Sequence, residues 1–250
     1  MRLLLSNDDG IDAPGLAVLA ERLRADHEVW VVAPASEQSA KSHSLTMHEP
    51  LRVQERGLRR YAVSGTPADC VYVALHDLLP EPPDMVVSGI NRGSNLGGDV
   101  HYSGTVAAAR EGALQGLPAV AVSLEHGDRG GEHQWETAAS VAVRVVAAVQ
   151  AQPMPPRTVY NVNVPDLPAH ELKGIKAARL SVRVYAPQVD RRTDPRGRPY
   201  VWIGGPHLRF EGGPDTDGSG IHEGWATVTP LACDITDPDE LERLRGWTDG

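Results

Sequence analysis

Four short runs of uninterrupted apolar residues, each the length of a buried strand and each followed by a loop and a helix-length stretch, constrain this chain more than any other feature: residues 3–5, 29–33, 85–87 and 119–122. A run that is apolar on both faces belongs to a strand covered by helices above and below. The first run ends in the turn Asn7-Asp8-Asp9-Gly10, and a helical stretch follows from Pro14-Gly15 to about Ala25. The second stops at Pro34, so the chain opens as βαβ. Thr66-Pro67-Ala68-Asp69 supplies an N-cap Thr, a first-turn Pro and an acid near the third helical position, which predicts a helix to about Leu79. Residues 85–88 then form a strand, 105–115 a helix ended by Gly116, and 119–123 another strand. A long helix over about 135–150 leads to a strand over 159–164. Such alternation predicts an α/β fold with a doubly wound, mostly parallel sheet and right-handed crossovers. Ligands then bind in the loops at the carboxyl ends of the strands.

The character changes after about Lys173. Residues 179–187 alternate like an exposed strand, 190–197 form a polar turn, and 200–204 run as a partner strand, which together predict a β-hairpin arm. The expected organisation is one domain over 1–250, with its core at about 1–172 and 221–250 and the hairpin excursion at about 173–220. The chain returns to the body at residues 225–231 and closes with a short helix near 238–245. An arm of this kind more often serves a subunit contact than a catalytic centre.

At 250 residues, 41% of them hydrophobic and 23% charged, the chain can close a full core. Its net charge of −9 argues against a polymeric nucleic acid partner, which needs a basic stripe. The apolar run behind Met1 turns acidic within a few residues, too short for a signal peptide or a membrane span, so a cytoplasmic protein is expected. Cys70 and Cys233 lie far apart in no metal-binding pattern and are expected to be buried apolar fillers.

Asp8 and Asp9 follow the first buried strand directly. An Asx-type turn is the commoner meaning of such a pair, yet two adjacent carboxylates in a ligand-facing loop repel each other, and a hard cation such as Mg²⁺ or Mn²⁺ relieves that repulsion. Asn91, in the glycine-rich loop after the strand at 85–88, offers a neutral oxygen ligand beside them. That loop matches neither a Walker motif nor a dinucleotide GxGxxG. Ser103-Gly104-Thr105 opens the next helix, where free amides and two hydroxyls form an anion site or an ordinary N-cap. The long polar loop over 34–48 can bring Ser39 to a metal and Lys41 or His43 to a substrate. Taken singly, each of these reads as a solvated loop residue, as does His101, and neither Lys41 nor His43 has a spacing that compels a catalytic role.

Together the segments LLLSNDDGIDAPG, SHSLT after Ser39, GTPADCVYVAL, DMVVSGIN, YSGTVAAAREG, NVNVPDLP and EGWATVTPL resemble the SurE family of survival-protein phosphatases over nearly the whole chain. The resemblance implies metal ligands at Asp8, Asp9, Ser39 and Asn91 for one divalent ion per subunit, Mg²⁺ or Mn²⁺. It implies a phosphate-binding turn at Ser103, Gly104 and Thr105, with Asn95 a polar position beside the site. It further implies a Rossmann-like core and a C-terminal extension that supports a homodimer or homotetramer through arm exchange. The loop around Lys41 and the length of the connection over 124–135 depart from other members and bear on substrate preference.

The activity so implied is hydrolysis of a nucleoside 5′-monophosphate, and in some members a 3′-monophosphate, to nucleoside and phosphate. Asp8 and Asp9 are then catalytic through the metal. Acids spaced as DxD would suggest an aspartyl-phosphate; adjacent ones favour attack by a metal-activated water. Two other classes compete: a sensor that binds nucleotide without turnover, and an NAD-dependent oxidoreductase, which the missing fingerprint after the first strand disfavours.

Overall fold

The computed structural model describes residues 1–125 and 133–247. The chain starts as β1 (Arg2–Ser6), α1 (Pro14–Arg24) and β2 (Glu28–Pro34), followed by an antiparallel hairpin of β3 (Val53–Gly57) and β4 (Arg60–Val63). Next come α2 (Pro67–Val73), which continues to Leu78 as a wider π turn, β5 (Met85–Arg92), α3 (Gly104–Leu114), β6 (Ala119–Leu124), α4 (Trp135–Ala151) and β7 (Thr158–Val164). The last third contains β8 (Ile175–Ala177), β9 (Val182–Tyr185), β10 (Gln188–Thr193), β11 (Pro199–Gly204), β12 (His207–Glu211), α5 (Asp217–His222), β13 (Ala226–Ala232) and α6 (Pro238–Arg245).

Nine strands form one sheet in the order β3-β4-β2-β1-β5-β6-β7-β13-β8. The run from β4 to β7 is parallel throughout, and β13 joins β7 antiparallel. The doubly wound expectation therefore holds, with helices on both faces. Alternation along β1 shows how: Leu3 and Leu5 pack with α1 and α4 in one core cluster, while Leu4 packs with α2 in another. All three leucines are fully buried, which stabilises the fold by about 2 kcal/mol each. Strand order reverses between β1 and β5, so the loops leaving their carboxyl ends turn to opposite faces and open the crevice where doubly wound sheets bind ligands.

Three details differ from expectation. Strands β3 and β4 carry no apolar run, because β3 is exposed throughout and its pairing is made by a two-residue connection, Leu58-Arg59, with Arg59 at φ 56°. The arm pairs in two tiers, β10 with β11 and β9 with β12, so residues 200–204 face 188–192 and leave 182–185 to pair with 207–211. The cause is local: the Asp194 carboxylate accepts from the amides of Arg196 (2.8 Å) and Arg198 (2.9 Å), tying the turn tightly around Pro195 and drawing the polar residues 190–193 into the ladder. Cys70 is buried as expected, whereas Cys233 is partly exposed near the sheet edge. Most of the connection over 124–135 lies outside the described residues.

Candidate active site

At the end of β1 the Asn7 side chain closes a turn on itself, its Nδ2 donating to Gly10 O (2.9 Å) and its Oδ1 accepting from Gly10 N (3.2 Å). The turn is thus closed by Asn7 rather than by either acid, and the two carboxylates that follow point to partners outside it, Thr105 and Arg92. Asp8 is only 4% exposed and its Oδ1 accepts a hydrogen bond from the Thr105 hydroxyl. Gly104 makes this contact possible: a Cβ there would lie 2.7 Å from Asp8 Cβ and 3.0 Å from its Oδ2, so any other residue would push α3 off the acid. Asp9 Oδ2 accepts from the backbone amide of Arg92 at 3.0 Å, which ties the β1 loop to the β5 loop across the crevice.

Burial dominates the electrostatics. It raises the Asp8 carboxyl to about 6, against the opposing hydrogen bond from Thr105 and with Asp9's charge adding to the rise. Burial also raises Asp9, and the charge of Glu37 adds to it. Among the described residues Asp9 Oδ1 has no hydrogen-bond donor, and the Asp8 carboxylate draws only on Thr105 and its own amide. Two half-paired, desolvated carboxylates side by side are a costly arrangement in the absence of a cation.

The long loop reaches this pair. Gln38 N donates to Asp8 O (2.7 Å), which places Ser39 next to it, and the Ser39 hydroxyl donates to Glu37 Oε1 (2.8 Å). Asn91 stands just after an irregularity in the β5–β6 ladder, and its Nδ2 donates to Gly93 O (2.7 Å), which leaves Oδ1 free to serve as a ligand. Asn95 is turned inward: its Nδ2 donates to Ser123 Oγ (2.8 Å), its amide to Asn163 Oδ1 (2.8 Å), and its carbonyl accepts from Asn161 and Asn163. It braces the glycine-rich loop. Ser103 caps α3 by accepting from Val106 N (3.0 Å), the Thr105 amide is turned on the Asp8 carboxylate, and the Gly104 amide has no partner among the described residues. The Thr105 hydroxyl, expected on a phosphate, is spent on Asp8 instead.

The Survival protein SurE profile matches residues 3–187. The chain belongs to the SurE family. It is 50% identical over 250 residues, 100% of its own length and 99% of the relative's, to the curated "5'-nucleotidase SurE" of Halorhodospira halophila. It is 49% identical to the "5'-nucleotidase SurE" of Alkalilimnicola ehrlichii, covering 100% of this chain and 96% of that one. The crystal structure of the SurE protein from Aquifex aeolicus superposes over the full length of both chains, with a TM-score of 0.87 at 38% identity.

The SurE site of this chain fits a hard divalent cation. Its nearest donors are all oxygens: the carboxylate oxygens of Asp8 and Asp9, Asn91 Oδ1 and the Ser39 hydroxyl. Among the described residues no group of three or more His, Cys, Asp or Glu could hold a metal, so a soft nitrogen or sulfur site has no candidate. Several supporting residues carry no sequence signal. His43 Nε2 lies 2.8 Å from Glu111 Oε2, 68 residues away, and Thr46 donates to Asp69 from both its amide (2.8 Å) and its hydroxyl (2.6 Å). Ser42 bonds the carbonyls of His101 and Tyr102, so His101 enters through its backbone. Lys41 is exposed and takes no described part.

Proposed function

We propose that this chain is a divalent-metal-dependent phosphohydrolase that cleaves nucleoside 5′-monophosphates, with 3′-monophosphates as a second class, to nucleoside and phosphate. The observation that carries the reading is the contact between Asp8 and the first turn of α3, where a buried acid abuts a helix N-terminus. A carboxylate alone would repel phosphate at a helix start; a carboxylate that shares a cation with it would not. The relatives named 5′-nucleotidase support the substrate class.

When bound by Asp8, Asp9, Ser39 and Asn91, the cation supplies Lewis-acid charge stabilisation to the phosphoryl group and lowers the pKa of a water. The Gly104 amide and the helix start hold phosphate oxygens, where the helix dipole favours negative charge. The Thr105 hydroxyl orients Asp8 and occupies one of its oxygens, which suits the carboxylate to a ligand's role rather than a nucleophile's. The Gln38 amide, donating to Asp8 O, holds the loop that carries Ser39 against the acid pair.

The same reading places the protein in the cytoplasm, consistent with two unpaired cysteines, and no described helix is long and apolar enough to cross a membrane. It also makes the protein a homodimer or homotetramer through its arm. In β10 and β11, Val189, Val201 and Ile203 share one face and Tyr200 and Trp202 the other, and all five are exposed. A two-stranded ribbon with apolar groups on both faces needs a cover, and a second copy of this chain supplies it.

The test is phosphate release from a panel of 5′- and 3′-nucleoside monophosphates with Mn²⁺, with Mg²⁺ and with chelator, for the natural chain and for Asp8→Asn. Metal-dependent release that falls at least a hundredfold in the folded variant is expected. Nucleotide binding without release under any metal would make the protein a sensor.

A further inference from the structure

On the side of the sheet covered by α1 and α4, a cavity of about 290 Å³ opens beside the acid pair, lined by Asp9, Ser39, Glu37, Arg92 and Trp135 among others. Its volume lies near the lower bound of roughly 300 Å³ for small-molecule sites, the scale of one nucleoside. Trp135, the first residue of α4, is half-buried, with part of its ring against the main core cluster. Gly15 in α1 fixes where that ring sits. A Cβ on Gly15 would lie 2.8 Å from the indole Cζ3 and 2.2 Å from Ile90 O, so only glycine lets the indole close against the first turn of α1. The His133 ring meets it edge-on, with centroids 5.4 Å apart. The Trp135 ring thus borders a polar cavity that shares two lining residues, Asp9 and Ser39, with the candidate metal site.

We propose that this cavity is the nucleoside pocket, with the base stacked on Trp135 and the ribose hydroxyls between Glu37 and Arg92. The assignment rests on the function proposed above and adds to it what selects a nucleotide over other phosphomonoesters. Asp8 and α3 take the phosphate on one side, and Asp9 turns toward the cavity on the other, so a substrate spanning both puts its phosphate at the acid pair. Glu37 accepts the Ser39 hydroxyl through Oε1, which leaves Oε2 for a ribose hydroxyl, and the exposed Arg92 side chain provides donors. Stacking reads a π face and little else, so the pocket prefers nucleotides to sugar phosphates and separates one base from another only weakly.

The test is the ratio of kcat/KM for AMP to that for ribose 5-phosphate, measured with Mn²⁺ for the natural chain, Trp135→Ala and Trp135→Phe. A ratio is insensitive to partial misfolding, which lowers both rates alike. The expected result is a fall of about tenfold in Trp135→Ala, the usual scale for losing one stacked base, with recovery in Trp135→Phe. An unchanged ratio in Trp135→Ala overturns the pocket and leaves the phosphohydrolase standing. If neither compound is cleaved by any form, the function fails instead, and calorimetric binding of AMP decides the pocket: weakening of about tenfold in Trp135→Ala supports it, and equal affinity overturns it.

Discussion

At the scale of single residues, the acid pair is a desolvated arrangement whose pKa values burial raises, and Glu111 shows the opposite case, a buried acid held down by a partner. Its Oε2 meets His43 at 2.8 Å and its Oε1 accepts from Gln115 at 3.1 Å. The His43 hydrogen bond outweighs burial and holds the carboxyl below its ordinary 4.5. A depressed folded pKa means stability that is present above pH 4.5 and lost as the pH falls through the lower folded value. Glu111→Gln keeps the shape and removes the charge, so it should cost about 1 kcal/mol at pH 7 and almost nothing well below pH 4.5. Urea midpoints of the two proteins at both pH values check this; an equal gap at both would mean that the charge is not what stabilises the contact. Nothing in the sequence around Glu111 announces this pairing, since its partner is 68 residues away on a loop without periodicity. Asp8 and Asp9 were legible because strand, turn and acids are contiguous. Asn91 and Ser39 were legible through resemblance, while Glu37 and the inward turn of Asn95 needed the folded loop to be visible.

At the scale of elements, the loop over 34–48 is long yet pinned at intervals, and its best anchor is the start of α2. Asp69 is buried and accepts from Thr66 N (2.8 Å), Thr46 N (2.8 Å) and Thr46 Oγ1 (2.6 Å), while Thr66 Oγ1 accepts from Asp69 N and donates to Ser44 O. The capping box that the sequence predicts is therefore also a clamp on the loop that carries Ser39. Asp69→Ala leaves three donors unpaired and should lower stability by about 3 kcal/mol, together with looser divalent-cation binding because Ser39 loses its fixed approach. Thermal unfolding with and without Mn²⁺ measures both: a variant with normal metal-induced stabilisation would separate the clamp from the site. Elements with apolar periodicity or capping chemistry were legible almost to the residue, α3 and α6 among them. The strands that sequence reading missed or mispaired are short or exposed, β3, β8, β10 and β12, or carry only two buried residues, as β4 does with Ala62 and Val63. The pairing of β3 with β4 and of β10 with β11 comes from turns at Arg59 and Asp194 that no hydrophobic pattern encodes.

At the scale of the molecule, the sheet's switch point explains why one crevice collects loops from β1, β2 and β5, and the arm explains what a single chain leaves unfinished. Sequence pattern foretold a doubly wound sheet but could not give its strand order, because a both-faces-buried strand looks the same wherever it sits. The arm's two tiers leave Ile203 89%, Trp202 64% and Val189 63% exposed, and a groove of about 550 Å³ at its base is lined by Val189, Ile203 and Tyr185. Placing that much apolar surface in water costs about 25 cal/mol per Å², a cost that the assembly proposed above would remove by covering the ribbon with a second chain. Ile203→Asp puts a charge on the uncovered face without touching the core, so it should leave the monomer's own stability within about 0.5 kcal/mol of the natural chain's. In sedimentation velocity the natural chain should run as a dimer or tetramer and the variant as a monomer. Because the crevice is built from loops of one chain, that monomer should keep its metal-dependent binding of nucleotide. A natural chain that already sediments as a monomer at micromolar concentration would remove the assembly and leave the ribbon's two apolar faces as a site of aggregation instead.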